Sequence, residues 1–135
     1  MDSSSLRVLV IDDSELSCTL LSVILRSADY RIVGVANDAK TGIRLAAECK
    51  PDIIFLDIVM PGETGFEALV KLRKSLPGAT IVMISRLDEC DMVTAAIQLG
   101  ANGYVHKPFN SSTIFGTMKK MESKFVIARP VPQPA

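Results

Sequence analysis

Leu6-Arg7-Val8-Leu9-Val10-Ile11-Asp12-Asp13 is an apolar run of strand length that stops on two adjacent carboxylates. Three later runs stop in the same way: 52–56 on Asp57, 80–84 on Ser85, and 103–105 just before Lys107-Pro108. Segments of helix length and amphipathic pattern separate the runs, which is the order of a parallel sheet with helices on both faces. The runs are rich in Val and Ile and alternate little, as strands covered on both faces require. A parallel α/β sheet gathers the carboxyl ends of its strands along one edge. Asp12, Asp13, Asp57, Ser85 and Lys107 are therefore expected to converge in one crevice.

Worked outward from that first run, the sequence divides into strands at 6–11, 30–36, 52–56, 80–84 and 103–105, and helices at 14–27, 39–49, 65–75, 89–99 and 111–124. Leu16, Leu20, Val23 and Ile24 recur at helical spacing in the first helix. Thr64 and Glu67 form a capping box for the third helix, and Pro77-Gly78 closes it. Asp88 and Asn110 are placed to cap the fourth and fifth. One folded domain over 1–127 is expected. Residues 128–135, with prolines at 130, 132 and 134, form a tail or the start of a linker.

A chain of 135 residues holds one domain. It is 48% hydrophobic, with 15 basic and 15 acidic residues, so neither disorder nor a nucleic-acid footprint is indicated. Cys18, Cys49 and Cys90 lack the spacing of zinc or redox motifs, and a reducing cytoplasm is the expected compartment. No signal peptide or membrane span is legible. His106, the only histidine, has no partner at ligand spacing and reads as structural.

Three carboxylates cannot all stay ionised at close range in a partly buried crevice unless a cation or proton shares the site. Oxygen ligands without imidazole or thiolate favour Mg²⁺, with Mn²⁺ as its substitute. Lys107 adds a point charge for an anion. Acids, metal, amine and hydroxyl together describe a phosphoryl-transfer site in which Asp57 attacks phosphorus and becomes an acyl phosphate.

Val8-Leu9-Val10-Ile11-Asp12-Asp13, Asp57-Ile58-Val59-Met60-Pro61-Gly62 with Gly65 following, Ser85, and His106-Lys107-Pro108-Phe109 together resemble the receiver domain of two-component response regulators. The resemblance covers about 6–124. It implies a flavodoxin-like five-stranded parallel sheet in the order 2-1-3-4-5 with five helices, whose switch point lies between strands 1 and 3. It implies Asp57 as phosphoacceptor, Asp13 as direct metal ligand, Asp12 as a ligand partly through water, and the Val59 carbonyl as a further ligand. Lys107 would pair with the acid and then the phosphoryl group. Ser85 and Tyr104 would switch, Tyr104 turning inward, and the peptide before Pro108 would be cis.

Several positions depart from the family pattern. Thr64 stands where Asp is frequent, and Arg86 stands where a small residue is usual. Arg86 is expected to screen the phosphoryl group or pair with Glu63 or Asp88. Val59 and Leu87, both apolar, stand at the two positions that in the family flank the attacking water's approach, so the resemblance implies slow autodephosphorylation. A metal-dependent phosphatase with an aspartyl nucleophile needs a second acid two residues on, where Val59 stands.

The resemblance thus implies a regulator, not an enzyme acting on other substrates. A sensor histidine kinase or a histidine phosphotransfer protein would donate the phosphoryl group. A downstream protein would read the face made by helix 4, strand 5 and helix 5. A stand-alone receiver of the chemotaxis or phosphorelay type is expected. The alternative is the receiver part of a longer regulator with a DNA-binding or enzymatic output domain after residue 135. The expected state is a monomer or a phosphorylation-induced dimer, with no direct nucleic-acid or membrane contact.

Overall fold

A computed structural model describes residues 6–86, 90–121 and 126–128. The elements in chain order are β1 (Arg7–Ile11), α1 (Glu15–Ser27), β2 (Arg31–Ala36), α2 (Ala39–Cys49), β3 (Ile53–Asp57), α3 (Gly65–Ser75), β4 (Thr80–Ser85), α4 (Cys90–Gln98), β5 (Gly103–His106), α5 (Ser111–Lys120) and β6 (Val126–Ala128). The sheet runs β2-β1-β3-β4-β5-β6, all pairs parallel. The first five strands take the expected order 2-1-3-4-5. β6 is an addition that the sequence reading missed, since it had left residue 128 to the tail.

Successive strand residues point to opposite faces, and two apolar cores follow from this. Leu9, Ile11, Ile54, Leu56, Ile81 and Met83 face α2, α3 and α4, where they meet Ala46, Leu69, Leu72, Val93 and Ala96. Val8, Val10, Phe55, Val82 and Ile84 face α1 and α5, meeting Leu21, Leu25, Ile114 and Met118. Each fully buried Leu or Ile in these layers contributes roughly 1.5–3 kcal/mol.

The helix starts show why the chain turns where it does. Ser14, Asp38, Thr64 and Asn110 sit at N-cap positions, and their side chains accept from the backbone N–H of Ser17, Thr41, Glu67 and Thr113. The Thr64 hydroxyl also donates to Glu67 Oε1 at 3.3 Å, so of the expected capping box the Thr64 half is formed and the Glu67 side chain meets the hydroxyl. Asp88, the expected cap of α4, lies outside the described residues, as does the segment after residue 128.

One expectation is corrected. Leu16, Leu20 and Val23 do not belong to the core face of α1 but are 78%, 42% and 59% exposed. The buried stripe is Cys18, Leu21, Ile24 and Leu25. The helix carries two apolar stripes, and periodicity cannot tell which one meets the sheet. Among the described residues, no helix is long and apolar enough to cross a membrane.

Candidate functional site

β1 and β3 end side by side, with Ile11 in register with Leu56, so the next residues of both strands emerge at one point of the sheet edge. Asp12, Asp13 and Asp57 each place a carboxylate oxygen within 4.8 Å of the others. Asp12 is wholly buried, Asp57 is 4% exposed, and Asp13 opens to solvent. Lys107 arrives from the end of β5, its Nζ 2.9 Å from Asp12 Oδ2 and 3.5 Å from Asp57 Oδ2. The peptide between Lys107 and Pro108 is cis, and the Lys107 N–H donates to the Ser85 carbonyl at 2.8 Å. Ser85 is buried opposite His106 in the β4–β5 register.

One ammonium among three carboxylates leaves the crevice rich in negative charge. Burial first, and the charge of Asp12 second, push the Asp57 carboxyl up from 3.8 to about 7, against the pull of Lys107. A group that resists ionisation beside oxygen-only donors is suited to a hard divalent cation, which would restore the ionised form. The residues present fit Mg²⁺.

Asp12 is held in place from several directions. Its N–H donates to the Ala36 carbonyl at 2.9 Å, and its Oδ1 accepts from the Ser14 N–H at 2.9 Å. Its carbonyl accepts from the Cys18 thiol at 3.2 Å and from Asn37 Nδ2 at 3.0 Å. Burial, and then the charge of Asp12, raise the Cys18 thiol to about 11, so it remains a neutral donor. Cys18 and Asn37 escaped the sequence reading. Asn37 directly follows β2, beside the end of β1, and that position was the available signal; nothing marked Cys18. Gly65 brings α3 against the end of β3, for a Cβ there would lie 2.6 Å from Ile58 Cα.

The residues around the cluster take varied positions. Tyr104 is wholly buried, with its ring centroid 4.9 Å from that of His106. The ring expected to turn inward already lies inside. His106 is buried in the sheet, a place that suits a structural role. Val59, two residues past Asp57, is 59% exposed, so its side chain stands at the rim. Arg86 is also exposed. It does not pair with Glu63, because Glu63 bonds Lys71 Nζ at 3.0 Å within reach of α3. Arg86 instead shares a groove of about 430 Å³ with Lys107, Pro108, Phe109, Leu16 and Leu20. Leu87 and Asp88 lie outside the described residues. Asp38 caps α2 and is not among the clustered acids.

Comparison with known proteins agrees with this geometry. The response regulator receiver domain family matches residues 8–119. The chain is 32% identical to the chemotaxis protein CheY of Listeria monocytogenes over 115 residues, covering 85% of this chain and 97% of that protein. It is 36% identical to protein-glutamate methylesterase/protein-glutamine glutaminase 5 of Myxococcus xanthus, covering 98% of this chain and 40% of that one. A chain of the CheX-CheY-BeF3-Mg²⁺ complex of Borrelia burgdorferi superposes with a TM-score of 0.85 at 26% identity, covering 88% of this chain and 90% of that one.

Proposed function

The chain belongs to the response regulator receiver family, and on that premise we propose that it accepts a phosphoryl group onto Asp57 and signals through the change that follows. The observation that carries the proposal is the shared Lys107 ammonium, 2.9 Å from Asp12 and 3.5 Å from Asp57 at the mouth of one acidic crevice. The ionised Asp57 carboxylate attacks phosphorus, an O–P bond forms, and the bond to the donor's leaving group breaks. With a phosphohistidine donor that bond is N–P, and the imidazole departs with the electron pair and takes up a proton. Mg²⁺ held by Asp12, Asp13, Asp57 and the Val59 carbonyl would neutralise charge on the transferring group. Lys107 supplies the fixed cation of the protein itself, and Ser85 would hydrogen-bond a phosphoryl oxygen.

The donor is a sensor histidine kinase or a histidine phosphotransfer protein. The groove beside Lys107 supports this, because Leu16 and Leu20 offer an exposed apolar edge next to the two cations Lys107 and Arg86. A stand-alone role of the chemotaxis type draws support from the 97% coverage of the Listeria CheY. A second reading, as the receiver part of a longer regulator, draws on the Myxococcus methylesterase, whose alignment takes in 98% of this chain. A stop codon after Ala135 in the native gene favours the first, and an open frame the second.

Incubation with acetyl phosphate and Mg²⁺, read by intact mass, is expected to add one phosphoryl group to the native chain and none to Asp57→Asn. An equal gain in the variant would overturn the assignment. The adduct is expected to be long-lived, because Val59 and Leu87 offer no polar group to orient water. Decay within seconds, followed by the same mass measurement, would contradict the shielding role of these residues and Arg86.

A further inference from the structure

Strand β6 lies where the sheet would otherwise end. Its Val126, Ile127 and Ala128 pair in parallel with Gly103, Tyr104 and Val105. β5 is also the strand that delivers Lys107 to the crevice and carries Tyr104, and its Lys107 N–H is bonded to the Ser85 carbonyl. A rearrangement of Ser85 or Lys107 therefore acts on the strand whose other edge holds β6. That edge lies at the centre of the face between α4 and α5 expected to meet a downstream protein.

The pairing is built to be weak. β6 has three residues, against five in β1 and β3 and six in β4. It has a strand on one side only. A short edge strand with one neighbour belongs to the least protected part of a fold.

We propose that β6 is an autoinhibitory edge strand, which occupies the hydrogen-bonding edge of β5 at rest and is released when the crevice is phosphorylated. The inference rests on the phosphoryl-acceptor reading given above. Release uncovers the N–H and C=O groups of 103–105, a surface suited to an extended segment of a downstream protein.

Linkage makes the inference testable in both directions. If phosphorylation loosens β6, loosening β6 must favour the phosphorylated form by the same factor. In the full chain, Ile127→Pro removes a backbone N–H from β6, and Ala128→Pro serves as a second variant at the end of the strand. Both are expected to bind beryllofluoride with Mg²⁺ at least about fivefold more tightly than the native chain. In the native chain, hydrogen exchange at the amides of 126–128 is expected to accelerate on beryllofluoride binding, and Asp57→Asn should show no such change. Unchanged or weaker binding by both proline variants, or unchanged or slower exchange at 126–128 in a beryllofluoride-loaded native chain, overturns the autoinhibitory strand alone. Failure of the native chain to bind beryllofluoride at all overturns the phosphoryl-acceptor reading as well.

Discussion

At Asp57, the burial that would shield the proposed acyl phosphate also holds the free carboxyl up at about 7. The unfolded chain keeps this group near 3.8. Between those values the folded state retains a proton that the unfolded state has lost, so the stability of the metal-free chain falls as pH rises through that window. Asp57→Asn removes the ionisable group, and without metal at about pH 8 it is expected to be more stable than the native chain by on the order of 2–4 kcal/mol. Urea midpoints at about pH 5 and about pH 8 check this; the native midpoint falls between the two, and the variant's falls less. A metal ligand must be ionised, so Mg²⁺ binding at the crevice is expected to tighten as pH rises through about 7, measured by titration calorimetry.

Among the elements, α1 is where two apolar stripes compete for one meaning. Leu21 and Leu25 are fully buried against the sheet, whereas Leu16 is 78% exposed beside the Lys107 groove. Leu21→Ala is expected to cost about 2–5 kcal/mol of folding stability, measured by denaturant unfolding. Leu16→Asp is expected to leave stability within about 0.5 kcal/mol, while phosphotransfer from a histidine donor slows and acetyl phosphate labelling does not. Equal slowing with both donors would move Leu16 from the docking edge to the chemistry. Of the helix caps, Thr64 and Asn110 were legible in the sequence, whereas Ser14 and Asp38 were not read as caps. β6 was not legible, since Val126, Ile127 and Ala128 are too few to show a period and stand beside prolines that argue against a strand.

For the whole molecule, the proposed metal site would couple metal to fold. Mg²⁺ held by the assembled crevice and not by the unfolded chain is expected, at about one hundred times its dissociation constant, to stabilise by about 2.7 kcal/mol. Thermal unfolding with Mg²⁺ and with EDTA checks this, and Asp13→Ala should abolish the difference while leaving the fold intact, because Asp13 is exposed. The sequence alone determined the order of the first five strands and the helices, the edge on which the polar residues gather, and the residue types that suit a hard cation. These follow from local pattern and from the geometry common to all parallel sheets. Only the tertiary structure decided which stripe of α1 is buried, that Cys18 and Asn37 hold the Asp12 carbonyl, that Glu63 turns to Lys71, and that Tyr104 already lies inside. It alone showed β6 closing the edge of β5. Each of these depends on which distant segments become neighbours, and a contact between such segments leaves no periodic trace along the chain.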